Sequence, residues 1–282
     1  RGQVMLDPRA QRLDVGADAM AIAIQALGDR GGGGTHGGTY AINADMDAHG
    51  PGSSPDHVIA DRGWRRWFGL AFLALALIGL WQVPWLGWLV YPFRVFGTFV
   101  HELSHGLAAI ATGGDFVRFA VSPDLSGVAH SAGGLRMIVA SAGYIGSAVF
   151  GGALLVLHAR LLSSRTLLFG LGVVFGLLCL LFVRNLFGVA AALAITFALG
   201  AAAMKLNLAM RDLLVDVLAL QLILDGYDSL FTVFALSRQG GVRSDAETMA
   251  DLTWLPATWW ALIWMLVSTA ILLAALRLAV RR

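Results

Sequence analysis

The chain has 282 residues, of which 57% are hydrophobic and only 13% are charged, and its mean hydropathy is +0.72. Soluble globular domains carry about 25% charged residues, so this composition excludes an ordinary soluble domain and indicates a polytopic membrane protein. The net charge of +2 argues against a nucleic-acid partner, and the single cysteine, Cys179, excludes a disulfide framework and a cysteine metal cluster.

Residues 1–62 differ in composition from the rest of the chain. They contain four consecutive glycines at 31–34 and the stretch Pro51-Gly52-Ser53-Ser54-Pro55, and they offer little apolar sequence to bury. This composition predicts disorder, and the pattern of a signal peptide is not present. An alternative is a mis-assigned start, with the native protein beginning near Met46. We therefore expect a disordered or mis-assigned segment at 1–62 and a membrane-embedded domain at 63–282.

Two apolar segments open the membrane domain. The first, at 67–83, can extend to 90 across Pro84, which approaches the ~20 residues that a spanning helix needs. Tryptophans cluster at both of its ends, as is typical of membrane interfaces. The second helix is predicted at 93–111, where Thr112-Gly113-Gly114 is a C-terminal stop signal.

A polar interruption at 115–134 follows the second helix. Residues 116–121 partly alternate between apolar and polar, Pro123-Asp124-Leu125-Ser126-Gly127 is typical turn sequence, and residues 128–131 can pair back. We predict a small β-hairpin here. His130 in its second strand can approach a metal site, but we expect it to be solvated.

Five further helices are predicted at 135–158, 166–183, 186–204, 208–236 and 256–280, with a soluble loop at 238–255. Small residues at four-residue spacing, Gly143, Ser147 and Gly151 in the first of them and Gly172 and Gly176 in the second, allow close helix packing in lipid. The expected fold is therefore all-α: a bundle of six or seven transmembrane helices with a small β-hairpin insertion after the second helix. Lysine and arginine are spread almost evenly over the two sides, so they favour a cytoplasmic N-terminus only slightly.

The second helix contains the sequence His101-Glu102-Leu103-Ser104-His105, an H-E-x-x-H motif. Positions i and i+4 share one face of a helix, so both imidazoles can bind one metal ion while Glu102 reaches the water on it. The alternative is two core histidines beside an accidental glutamate. A charge at mid-bilayer costs roughly 2.5–3.5 kcal/mol on insertion scales, whereas a metal ion gives all three side chains a partner, so we prefer the metal site.

A catalytic zinc ion takes three protein ligands and one water, and we expect the third ligand here to be a carboxylate. Asp225 is the first choice because it lies in the apolar stretch Leu222-Ile223-Leu224, where an ionisable residue is a functional candidate. Asp228, which shares much of that helix face, and Asp245, in the loop at 238–255, remain as alternatives. Asp225 and Asp228 could instead pair with Arg211 or face water.

The H-E-x-x-H motif on an apolar helix and Leu224-Asp225-Gly226 on a later one resemble the two metal motifs of the site-2 protease class of intramembrane zinc metalloproteases. Within that class, the chain is most similar to a bacterial and plant branch of peptidase-like membrane proteins. That likeness covers residues 65–280 and rests on Thr112-Gly113-Gly114, Pro123-Asp124-Leu125-Ser126-Gly127, Ser141-Ala142-Gly143-Tyr144 and Ser244-Asp245-Ala246. Site-2 proteases usually place an asparagine and a proline shortly before the D-G pair, and neither precedes Asp225 at that spacing.

The resemblance implies a membrane-embedded endopeptidase that cleaves membrane-associated proteins. Zn2+ would be bound by His101, His105 and Asp225, with Glu102 as the general base and Asn185 as a contact for the substrate backbone. The expected partners are the lipid bilayer and a transmembrane or membrane-associated protein substrate, with no nucleic acid, and the expected location is a bacterial plasma membrane. The alternative is a non-proteolytic metal-binding scaffold or accessory protein that retains the peptidase fold. A proton or metal transporter would explain the intramembrane charges but not the H-E-x-x-H spacing.

Overall fold

The structure is a computed structural model that describes residues 55–237 and 244–280. This part of the chain forms eight helices and one two-stranded sheet: α1 (Pro55–Gln82), α2 (Gly87–Ala111), β1 (Asp115–Val121), β2 (Gly127–Ala132), α3 (Arg136–Arg160), α4 (Ser164–Phe182), α5 (Leu186–Lys205), α6 (Leu208–Ser237), α7 (Asp245–Leu252) and α8 (Ala257–Val280). The predicted helical fold with a small hairpin after the motif helix is confirmed. The predictions for residues 1–54 lie outside the described residues.

Within the described residues, four helices are long and apolar enough to cross a membrane: α3, α4, α5 and α8. The pair α1 and α2 counts as a fifth only if it is a single broken span, since the two are bent by 109° where Pro84–Leu86 forms a 3-10 turn. The predicted number of six or seven spans is not confirmed. One reason is this bend, which separates residues that the sequence suggested as one continuous segment. Another is α6, which is not among the four and carries a series of charged side chains: Arg211, Asp212, Asp216, Asp225 and Asp228.

The motif helix α2 ends at the predicted glycine pair. Gly113 has a φ of +84°, the left-handed conformation that glycine adopts without steric cost. The N–H of Gly114 donates to the carbonyl of Ala109 at 2.8 Å, and that of Gly113 donates to Ile110 at 3.1 Å. These two bonds satisfy the last carbonyls of the helix in a Schellman motif and turn the chain directly into β1.

The hairpin is antiparallel and packs on α2. Its register runs from Asp115 opposite Ala132 to Val121 opposite Gly127. In the turn, Asp124 accepts hydrogen bonds from the Ser126 N–H at 3.1 Å and from its hydroxyl at 2.7 Å, as the turn sequence predicted. The buried face of β1 includes Phe116, Phe119 and Val121, which join the core, whereas most of β2 is exposed.

Helix α3 is packed closely between α2 and α6. A Cβ at Gly151 would lie 2.7 Å from the carbonyl oxygen of Ala219 and from a side-chain carbon of Ile223, so only glycine permits this approach to α6. On α4, a Cβ at Gly176 would lie 2.9 Å from the side chain of Thr196 of α5, and a Cβ at Gly172 would lie 3.5 Å from the Thr196 carbonyl oxygen. Gly151, Gly172 and Gly176 therefore lie on helix-packing faces, as the sequence predicted.

Candidate metal centre

Two histidines and one aspartate converge in the described part of the chain. One ligand atom each from His101, His105 and Asp245 lies within 4.8 Å of the others. Oδ2 of Asp245 is 3.4 Å from Nε2 of His105 and 3.7 Å from Nε2 of His101. Ligands of a tetrahedral zinc ion, each about 2.0–2.2 Å from it, are roughly 3.4 Å apart. The chemistry and the spacing of this donor set therefore fit zinc.

Both imidazoles point to one side of α2 because they are one helical turn apart. Nδ1 of His105 is 2.7 Å from the carbonyl oxygen of Val139 on α3, to which it can donate a hydrogen bond. Nε2 is then the atom directed at Asp245, and it becomes a metal ligand once its proton is released. An outer hydrogen bond of this kind fixes the ring orientation and tautomer of metal-binding histidines.

The short helix α7 brings Asp245 to the histidines. The Ser244 hydroxyl caps this helix by accepting from the N–H of Glu247 at 3.3 Å, and Asp245 is its first residue. Burial alone would raise the pKa of Asp245, but the imidazoles of His101 and His105 beside the carboxylate hold it below its ordinary value. The ionised carboxylate, which is the form that binds metal, is therefore favoured.

Gly143 on α3 lets the two histidines pack directly against the helix backbone. A Cβ built at this position would overlap with Nε2 of both His101 and His105. Any side chain here would displace the two imidazoles. The glycine is thus explained by the site rather than by helix packing, which was its role in the sequence-based prediction.

Tyr144 links the site to α8. Its ring lies edge-on to His101, with centroids 4.7 Å apart, and stacks on Trp264 at 4.9 Å. The indole N–H of Trp264 donates in turn to the Ser141 hydroxyl at 3.0 Å. The Tyr144 hydroxyl is within hydrogen-bonding reach of the Asp245 carboxylate. The sequence analysis assigned no role to Tyr144, because nothing in the sequence of α3 shows that Asp245 lies next to this residue.

Glu102 is only 5% exposed and lies beneath the hairpin. A Cβ at Gly127, the last residue of the P-D-L-S-G turn, would overlap with its carboxylate, and the backbone N–H of Ala129 is within hydrogen-bonding reach. Strand β2 therefore covers Glu102 closely on the side of α2 next to the histidines. A carboxylate this buried is costly unless nearby groups compensate its charge, which a metal site does.

Asp225 and Asp228 lie next to Arg94 on α2. Nη2 of Arg94 is 2.6 Å from Oδ2 of Asp228, and its Nε is 3.5 Å from Oδ1 of Asp225. Asp225 also accepts a hydrogen bond from Gln221 at 3.0 Å. Among the described residues, the carboxylate beside the motif histidines is therefore that of Asp245 and not that of Asp225, whose role as the third metal ligand stays a prediction. The physical reason is that α6 delivers Asp225 to the turn of α2 before the motif, where a guanidinium compensates its charge.

Asn185, the predicted substrate contact, binds the end of β1. Its side-chain oxygen accepts from the Val121 N–H at 3.2 Å, and its amide nitrogen donates to the Val121 carbonyl at 2.7 Å. Both polar groups thus have a partner within the protein, and a role towards substrate stays a prediction. His130 is exposed on β2 and is not part of the metal-ligand group found among the described residues.

A family model described as Peptidase M50B-like matches residues 70–275. The match therefore spans α2, which carries the motif, and α7, which carries Asp245, and it covers most of the chain. No curated protein and no solved structure matches the chain.

Proposed function

Since this chain belongs to the Peptidase M50B-like family, we propose that it is a zinc-dependent endopeptidase that hydrolyses peptide bonds of transmembrane or membrane-associated proteins. The apolar helices and the family together indicate that it is an integral membrane protein. A bacterial plasma membrane is the location that the resemblance suggests. The observation that carries the proposal is the convergence of Asp245 on the two motif histidines beside a buried glutamate.

His101, His105 and Asp245 are the residues that would hold the metal ion. Two imidazoles and a carboxylate form a donor set typical of catalytic zinc, which leaves a fourth position open to water or substrate. When bound, zinc supplies Lewis-acid chemistry, because it lowers the pKa of water and polarises a carbonyl group. The close packing of both imidazoles on Gly143, which brings their Nε2 atoms together, supports this arrangement.

Glu102 is the proposed general base. It accepts a proton from the attacking water and delivers that proton to the leaving amine, a role that typically contributes 10²–10⁴-fold to the rate. The cover provided by Gly127 and β2 restricts the rotamers of the carboxylate and excludes bulk water from one side of it. A metal-binding scaffold would need the histidines and Asp245 but not a buried carboxylate at this place.

The substrate segment must be extended at the site. A transmembrane helix satisfies its own carbonyl groups by internal hydrogen bonds, so none is available for attack until the helix unwinds locally. We therefore expect cleavage to be faster for substrates with helix-breaking residues near the scissile bond.

The substitution Glu102→Gln tests the proposal because it keeps the size of the side chain and removes its basicity. We expect the purified variant in detergent or nanodiscs to retain wild-type zinc content and to lose cleavage of transmembrane peptides by at least about a hundredfold. Gly200→Ala is a suitable control, because a Cβ there meets nothing within 4 Å. Equal cleavage by wild type and Glu102→Gln would refute the mechanism, and zinc binding without cleavage by the wild type would favour the scaffold.

A further inference from the structure

An apolar cavity of about 500 Å³ lies next to the candidate metal centre, between α2, α3, α7 and α8. Its lining includes Ser104 and Leu107 of α2, Ala142 and Gly146 of α3, Met249 of α7 and Trp260 of α8. Sites for small ligands typically have volumes of ≈ 300–1,000 Å³, so the cavity has room for more than one large side chain.

The helices that carry the metal ligands also form the walls of this cavity. Ser104 precedes His105 on α2, and Met249 follows Asp245 by one helical turn on α7. On α3, Ala142 precedes Gly143, the residue that contacts both histidines. The cavity therefore adjoins the metal centre along three helices, at the distance of neighbouring residues in the chain.

The cavity offers an apolar surface with its polar groups already bonded. The Ser104 hydroxyl donates to the Val100 carbonyl at 2.6 Å, and the Ser141 hydroxyl accepts from Trp264 at 3.0 Å. None of the described residues that line it is charged. A polar or charged occupant would lose its hydration without gaining partners, so the cavity selects apolar groups.

The rim of the cavity is open on the outer surface of α3. Met137, Ile138, Val149 and Phe150 line it and are 40–49% exposed. Because α3 is one of the membrane-spanning helices, these exposed apolar side chains face the region of the lipid chains. An apolar group can therefore enter from the bilayer without crossing a polar surface. Lipid is as apolar as the cavity, so discrimination must come from shape and packing.

We propose that this cavity is the subsite for a large apolar side chain next to the scissile bond of a transmembrane substrate. Phenylalanine, leucine and methionine are the residue types that fit it, and alanine or glycine leaves it unfilled. The inference rests on the proposed endopeptidase function and adds the residue preference of the site. The cavity is built from the helix turns next to the metal ligands, which favours a peptide side chain over a lipid acyl chain as its occupant.

The substitution Ala142→Leu tests the proposal because the larger side chain narrows the cavity. The matched control is Ala153→Leu, an exposed position of the same helix that does not line the cavity. Each protein is assayed with transmembrane peptides that carry phenylalanine or alanine at the positions flanking the scissile bond. We expect the wild type and Ala153→Leu to prefer phenylalanine by about tenfold or more in kcat/KM, and Ala142→Leu to cleave the two peptides with similar kcat/KM. An unchanged preference in Ala142→Leu would overturn the assignment.

Photo-crosslinking separates this inference from the proposed function because it needs no turnover. A peptide with benzoylphenylalanine next to the scissile position is irradiated with the zinc-loaded Glu102→Gln variant, and the modified residue is found by mass spectrometry. Labelling of Met249 or Met137 supports the subsite, even for a protein that cleaves nothing. Labelling confined to residues outside the cavity, or a lipid that stays in the cavity when saturating peptide is added, would overturn it.

Discussion

The identity of the third metal ligand gives the sharpest prediction. Asp245→Asn keeps the shape of the side chain and removes the charge that lies 3.4 Å and 3.7 Å from the two imidazole nitrogens. Asp225→Asn makes the same chemical change on α6, where the carboxylate lies beside Arg94. The two variants are matched, so a difference in zinc affinity between them reports on position alone.

The expected magnitude follows from what each carboxylate touches. Loss of a hydrogen bond outside the ligand shell typically lowers metal affinity 10–100-fold, so loss of a direct anionic ligand in Asp245→Asn should cost at least about a hundredfold, or about 2.8 kcal/mol. In Asp225→Asn, Arg94 keeps its 2.6 Å contact with Asp228. We therefore expect its zinc affinity to stay within about threefold of wild type.

Zinc affinity is measured by competition with a chelator in detergent, and thermal unfolding of the metal-free proteins serves as the control for folding. Both variants should unfold at similar temperatures without metal, and only wild type and Asp225→Asn should be strongly stabilised by zinc. If Asp225→Asn loses zinc while Asp245→Asn retains it, the assignment of the site from this geometry is refuted.

Two further substitutions test the groups around the ligands. Gly127→Ala places a methyl group against the Glu102 carboxylate, so cleavage should fall about 10–100-fold with zinc content unchanged. The control Gly200→Ala should behave as wild type. Normal activity of Gly127→Ala would show that the cover over Glu102 is not needed. Tyr144→Phe removes the hydroxyl that reaches Asp245 and keeps the ring contacts with His101 and Trp264. Zinc affinity should therefore fall about 10–100-fold. An unchanged affinity would mean that Tyr144 does not position Asp245.

Local sequence signals account for much of the fold. The glycine pair after Thr112 predicts the end of α2 because a left-handed residue closes a helix. Asp124 predicts the turn of the hairpin because its carboxylate accepts a hydrogen bond from the backbone N–H of Ser126, two residues further on. The two histidines are equally local, since four-residue spacing on a helix is enough to bring them to one ion. The number of spans was less predictable, because a bend of 109° depends on how α1 and α2 pack.

The short helix α7 was missed although a local signal existed. Ser244 and Glu247 have the spacing of a capping box, and Ser244 does cap the helix in the structure. The sequence suggested a soluble loop because the segment is polar and short. Recognising the cap would have placed Asp245 in the first turn of a helix rather than in a loop, but it would not have shown which site that helix faces.

The choice between Asp225 and Asp245 depended on contacts between distant parts of the chain. A carboxylate within apolar sequence needs a compensating charge, and the sequence of α6 shows this need without showing the partner. Arg94 precedes His101 by seven residues and therefore shares its side of α2, so a cation was available on the same face as the motif. Because Arg94 compensates Asp225 and Asp228, we propose Asp245, which α7 places beside the histidines, as the third ligand. In a membrane protein, the partners of every intramembrane cation therefore have to be assigned before an aspartate can be taken as a metal ligand.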